Sequence, residues 1–318
     1  MSEENELKQP SQDDKRKDDN TYNLQRKSLA PTNYLVFTGG GVRTFSYIGT
    51  LQQLSQEWEE RWWKKTKGYY GVSAGSILSF MLCLDFPIES LVDILIHFPF
   101  EKLFQPHFDC LLEKWCLDDS QQLYLFLKSI LAKKNLPETT TLDQLHTFSN
   151  QEFHIVVSNL THARTDVWSH QTQPNIPVIK AILASCAIPF VFPYVIHEEQ
   201  VFVDGAYFCP FPFIKVPQEY ISGSLGIYSH ENNLTHIQYI PKTFTEFFGL
   251  CFTSSREFIM NPYRDAEFWG NTIQVQIPDI EIIDFELNLN QRESLLQYGI
   301  EAAKKYISLK DSYERNPS

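Results

Sequence analysis

Two strand–glycine–helix transitions in the first quarter of the chain restrict its fold more than any other feature. In the first, Tyr34-Leu35-Val36-Phe37-Thr38 reads as a short buried strand. It runs into Gly39-Gly40-Gly41-Val42-Arg43-Thr44, after which Phe45, Ile48, Leu51 and Leu54 recur at helical spacing. In the second, the apolar run Tyr69-Tyr70-Gly71-Val72 meets Ser73-Ala74-Gly75 and then the helical stretch Ser76–Leu82. The pentapeptide Gly71–Gly75 has the form G-x-S-x-G in the strand-to-helix context of a nucleophile elbow. So tight a turn admits only glycine two places before and two places after the serine. It throws the hydroxyl out at a helix N-terminus, where the dipole and free N–H groups favour a developing oxyanion. An ordinary small-residue turn is the competing reading of this pattern alone.

The triglycine cluster bears on that choice. Three successive glycines let backbone N–H groups crowd toward an anion with no Cβ in the way. The anion would be a phosphate or the oxyanion of an ester's tetrahedral intermediate. A Walker-type loop needs Gly-Lys followed by Ser or Thr, which is absent. A dinucleotide fingerprint needs a glycine where Thr44 stands. An oxyanion hole beside Ser73 uses both clusters together. A third element, Val201-Phe202-Val203-Asp204-Gly205-Ala206, ends an apolar strand in a carboxylate, at the end of a strand where open α/β sheets place their sites.

In this order the three motifs resemble those of the patatin-like phospholipase family: a GGG-x-[R/K]-G oxyanion loop, the G-x-S-x-G elbow and a D-G-[A/G] motif. The block Ala184–Pro193, and the stretch Phe285–Leu289 with Leu295, Leu296, Gly299 and Tyr306, fit the family's pattern as well. The likeness runs in ordered pieces from about Asn33 to Tyr306. It implies a three-layer α/β/α fold with a mainly parallel central sheet. It also implies phospholipase A-type hydrolysis of fatty acyl esters by a Ser73–Asp204 dyad, with no histidine between the two. Gly39, Gly40, Gly41, Val42, Arg43 and Ala74 fall in the oxyanion hole, and Gly71, Gly75, Gly205 and Ala206 complete the motifs. Thr44 departs from the family's glycine, so weaker oxyanion binding is expected. Beside the loop, Arg43 would steer anionic head groups or pair with a surface carboxylate.

Two alternatives stay open. The order Ser73, Asp204, then His230 or His236 also satisfies a Ser–His–Asp esterase. A catalytically blunted module that binds lipid or a partner protein is the other.

Composition narrows the partners. The net charge of −12 disfavours generic nucleic-acid binding and constitutive attraction to anionic bilayers. The six cysteines form no C-x-x-C pair and sit in apolar stretches, as buried reduced thiols would. No H-E-x-x-H spacing occurs. We therefore expect no metal and no cofactor, a lipid substrate met by peripheral membrane contact, and a cytoplasmic location. Export without a cleavable signal, and a protein activator, are left open.

Residues 1–31 carry the mixed charges of Asp13–Asn20 and read as a disordered tail without a signal-peptide core. The hydrolase domain is expected over 32–310, with a helical insertion at 98–150 placed to act as a lid or as plain scaffold, and a tail over 311–318. Helices are expected after Asp85-Phe86-Pro87, from Ile88 to His97, and near Thr139–Leu145. Most of the aromatic residues of Thr243–Trp269 are expected in the core. A minority, on a face bearing Phe247, Phe248 and Phe252, would line an acyl channel or meet a lipid interface.

Overall fold

Strand β1 (Tyr34–Phe37) is buried along its whole length, because its alternating side chains enter two different cores. Leu35 and Phe37 point into the larger core, whereas Tyr34 and Val36 point into a smaller one on the other side of the sheet. A strand buried on both faces is what a continuous apolar run encodes. In the computed structural model of the chain, residues 30–230, 240–278, 280, 282 and 284–315 are described. Residues 1–29 of the expected N-terminal tail and His236 lie outside them.

In chain order the elements are β1, α1 (Phe45–Glu57), β2 (Gly68–Val72), α2 (Ala74–Cys83), α3 (Ile88–His97), α4 (Phe108–Lys114), α5 (Gln121–Ala132) and α6 (Leu142–Ser149). Then follow β3 (Glu152–Asn159), β4 (Arg164–Trp168), α7 (Val178–Ser185), β5 (Val195–His197), β6 (Gln200–Asp204), β7 (Leu225–His230), α8 (Phe244–Met260), β8 (Thr272–Gln276) and α9 (Leu289–Arg315). The sheet runs β5-β6-β3-β2-β1-β7-β8, with β4 paired back onto β3. From β3 to β8 every neighbouring pair is parallel, while β4, β5 and β6 add antiparallel pairings at the other side. This is the mainly parallel α/β sheet anticipated above.

The two faces are covered differently. Helices α1, α2, α3, α5, α6, α7 and α9 all contribute side chains to the larger core. Short 3-10 turns around Phe213, Ile221 and Phe268, with the end of α8 at Met260, cover the opposite face. Burying one such Leu or Phe contributes about 1.5–3 kcal/mol.

Several local expectations hold in detail. Helix α3 spans Ile88–His97 as read. Thr141 and Gln144 form a reciprocal capping box at the start of α6. Helix α9 runs on to Arg315, past the domain end expected at 310. The thiols depart from expectation. All six cysteines are free, but Cys251 on α8 is exposed and Cys110 is half-buried, because each lies on a helix whose outer face meets solvent.

Candidate active site

Ser73 sits on the turn between β2 and α2 with φ 54° and ψ −132°. That is a strained conformation for a residue with a side chain, costing on the order of 1–3 kcal/mol. The surroundings hold it there. Its N–H donates to Ser185 Oγ over 2.9 Å, and Ser185 in turn donates to the Val156 carbonyl over 2.7 Å. The flanking glycines are required by contact. A Cβ on Gly75 would lie 2.6 Å from the Thr38 carbonyl oxygen, and one on Gly71 would lie 2.6 Å from Ser76 Cα. The G-x-S-x-G spacing is therefore the imprint of a helix packed hard against two strand ends.

Asp204 reaches Ser73 by an unexpected route. Strand β6 runs antiparallel to β3, so its C-terminal end does not share the edge where the parallel strands end. The rule for open parallel sheets therefore does not account for its position. Register does. Val157 pairs with Asp204 on one side of β3, and Val156 pairs with Val72 on the other. This brings Asp204 level with the elbow. The carboxyl is buried, and burial pushes its pKa up from 3.8 to about 7. The Ala206 N–H, which donates to Oδ1 at 2.8 Å, and the neighbouring Ser73 hydroxyl hold part of that rise back.

The glycine loop lies directly against the serine. A Cβ on Gly39 would sit 3.0 Å from Ser73 Cβ, and Gly41 takes φ +52°. The six residues assigned to the oxyanion hole are not equivalent. Val42 N–H donates to the Ile282 carbonyl at 3.1 Å, and Arg43 N–H donates to the Gly40 carbonyl at 3.0 Å. Both donors are occupied, the first by a crossing segment and the second by the 3-10 turn Gly41–Thr44. No such backbone acceptor meets the N–H groups of Gly40, Gly41 and Ala74 among the described residues, and Gly39 makes the close approach to Ser73. Ala74 opens α2, where the first N–H groups have no partner within the helix. Arg43 is buried, and its Nε donates to the Ile280 carbonyl at 2.6 Å. Thr44 is buried, and among the described residues its hydroxyl has no hydrogen-bond partner.

From Ser73 an apolar cavity of about 110 Å³ runs between helices. Ile77 and Met81 of α2, Leu95 of α3 and Phe285 line it. So do Phe100, Leu123 and Phe126, which places part of the 98–150 segment on the cavity wall. Of the aromatic stretch, Phe247 is exposed and Phe268 is buried, while Phe252 packs beside Ile188 and Phe192. The Phe248 side chain lies outside the described residues.

His230 ends β7, and its ring stacks near Tyr228. Between β7 and β6 stand β1, β2 and β3. Four inter-strand steps separate the strand of His230 from that of Asp204, about 19 Å at ordinary sheet spacing.

Two further side chains stand beside the site, the first within the block Ala184–Pro193 and the second in no motif of the sequence. Cys186 is buried with its thiol beside the Ser73 and Ser76 hydroxyls. Burial, aided by the Asp204 charge, pushes its pKa up, so it stays a protonated thiol. Arg256 reaches the glycine loop from α8. Among the described residues no His, Cys, Asp and Glu side chains group to hold a metal ion, and no helix is long and apolar enough to cross a membrane.

The sequence pattern of the patatin-like phospholipase family matches residues 35–215. That stretch is more than half the chain and holds the glycine loop, the elbow and Asp204. The chain belongs to the patatin-like phospholipase family. It is 24% identical over 283 residues to an uncharacterized protein of Acanthamoeba polyphaga mimivirus, covering 86% of this chain and 93% of that one. It is 23% identical over 193 residues to a probable lipid hydrolase of invertebrate iridescent virus 6, covering 58% of this chain and 64% of the relative. Among solved structures it resembles VipD from Legionella pneumophila with a TM-score of 0.54 and 14% identity, over 88% of this chain and 67% of VipD. At that identity the likeness concerns the fold.

Proposed function

We propose that this protein is a lipid acyl hydrolase of phospholipase A type that works through a Ser73–Asp204 dyad. The observation that carries the reading is the buried Asp204 carboxyl, its pKa raised to about 7, beside Ser73 at the end of an apolar cavity.

Ser73 Oγ attacks the acyl carbonyl carbon, and its proton passes to Asp204. A carboxylate with a pKa near 4 is a weak base for an alcohol, and one near 7 is better matched to the task. The carbonyl oxygen becomes an oxyanion facing the N–H groups of Gly40, Gly41 and Ala74. Collapse breaks the ester C–O bond, and the leaving alcohol takes the proton from Asp204. Water then attacks the acyl–serine ester, gives its proton to Asp204, and Ser73 leaves with that proton as the fatty acid departs. The acyl chain occupies the cavity between α2, α3 and α5. The lipid hydrolase name of the iridescent virus relative is in keeping with this substrate class.

The Ser–His–Asp reading through His230 is disfavoured by the four strand steps described above. The binding-module reading draws on the occupied Val42 N–H and on Thr44. A fluorophosphonate probe separates it from the enzyme. Labelling of wild type but not of Ser73→Ala, together with release of fatty acid from phospholipid vesicles that falls at least about a thousandfold in Ser73→Ala, is the expected outcome. A folded wild type that takes no label and releases no fatty acid refutes the proposal.

A further inference from the structure

Arg256 lies outside the matched family region, 183 residues beyond the elbow serine by number. It projects from α8 to the back of the glycine loop. Its Nη2 donates to the Ser229 carbonyl at 2.7 Å and to Thr38 Oγ1 at 3.4 Å. Its Nη1 donates to the Gly39 carbonyl at 3.4 Å, and its Nε to the Tyr228 hydroxyl at 3.2 Å. The guanidinium carbon stands 4.4 Å from the centre of the Tyr228 ring. Every one of these partners is neutral. The carbonyls and hydroxyls satisfy its donors, and no carboxylate forms an ion pair with it among the described residues. Setting a partly buried cation among neutral partners carries a desolvation cost, and its place against the loop suggests what offsets it.

The use follows from peptide geometry. Gly39 C=O and Gly40 N–H belong to one planar group, and the chain has no cis peptide among the described residues. In a trans peptide the N–H points opposite to the C=O. The Gly39 oxygen faces Arg256 at 3.4 Å and also lies 3.1 Å from Thr38 Oγ1, so the Gly40 N–H is turned away from the guanidinium. A charge-assisted hydrogen bond to the carbonyl draws electrons toward that end and strengthens the N–H as a donor.

We propose that Arg256 is a positioning residue for the oxyanion loop: its guanidinium orients and polarises the Gly39–Gly40 peptide so that the Gly40 N–H binds the developing oxyanion. This rests on the hydrolase reading above. It matters as well because Val42 N–H is already given to Ile282, so fewer backbone donors share the charge. The contribution belongs to the transition state, so it shows in kcat rather than in KM.

The experiment compares wild type, Ser73→Ala, Arg256→Gln and Arg256→Lys as full-length proteins. It measures hydrolysis of a short-chain p-nitrophenyl ester, fluorophosphonate labelling and thermal melting. Arg256→Gln is expected to lower kcat about 10- to 100-fold with KM changed less than about threefold, in the range of losing part of one oxyanion donor. Arg256→Lys, which keeps the charge, is expected to return kcat to within about fivefold of wild type, on the same reasoning. Ser73-dependent hydrolysis in wild type with Arg256→Gln unchanged in kcat overturns this inference and leaves the hydrolase reading standing. So does an Arg256→Lys variant that loses as much kcat as Arg256→Gln, with both melting far below wild type. A wild type that neither hydrolyses the ester nor takes the label overturns both.

Discussion

Replacing Asp204 by Asn should change how stability depends on pH, whatever the protein hydrolyses. Asp204 is buried beside Val157, and burial lifts its pKa from 3.8 to about 7. A little over three powers of ten in proton affinity correspond to about 4 kcal/mol. The native state holds this proton more tightly than the unfolded chain does. The neutral carboxyl is therefore accommodated fully below about pH 4. As pH rises toward and through about 7, the native state must either keep its proton against solvent or bury a charge, and stability falls. The carboxamide of the Asp204→Asn variant cannot ionise, so that protein lacks this loss. Other groups titrate alike in both proteins and cancel in the difference. The stability of Asp204→Asn minus that of wild type should rise by about 4 kcal/mol between pH 4 and pH 8.5, a large share of a typical 5–15 kcal/mol total. Guanidinium unfolding at four or five pH values measures it. A difference that stays flat within about 1 kcal/mol across that range would refute the argument that this carboxyl is desolvated.

The remaining predictions concern turnover. Because the carboxylate form of Asp204 is the proposed base, kcat/KM of wild type should climb tenfold per pH unit below about 7 and level off above it; an acid limb near pH 4 would contradict the raised pKa. His230→Ala should keep ester hydrolysis within about threefold of wild type, while a loss of a hundredfold or more would restore a histidine to the mechanism. Ile77→Phe narrows the cavity next to the elbow. It should shift preference toward shorter acyl chains by about tenfold, read from the kcat/KM ratio for two p-nitrophenyl esters, and an unchanged ratio would remove the cavity as the acyl site.

Much of the site was legible from local sequence because local sterics wrote it. Gly71 and Gly75 are fixed by contacts within one turn and the strand beside it. Gly41 is fixed by its backbone angle. Such constraints leave a short, ordered signature. The partition of the oxyanion residues left none. Whether Val42 N–H is free depends on a carbonyl at position 282, far along the chain. The same holds for Arg43, whose place in the interior depends on the Ile280 carbonyl.

The sequence by itself determined the α/β alternation, the elbow and the order of the three motifs, since each is a matter of side-chain period or of what fits within a few residues. Tertiary structure alone decided that Asp204 stands level with Ser73 through an antiparallel register, that four strand steps hold His230 away, and that a cation from α8 grips Gly39. These are relations between segments far apart in the chain. They are set by which strands pair and at what offset, and no local pattern carries that information.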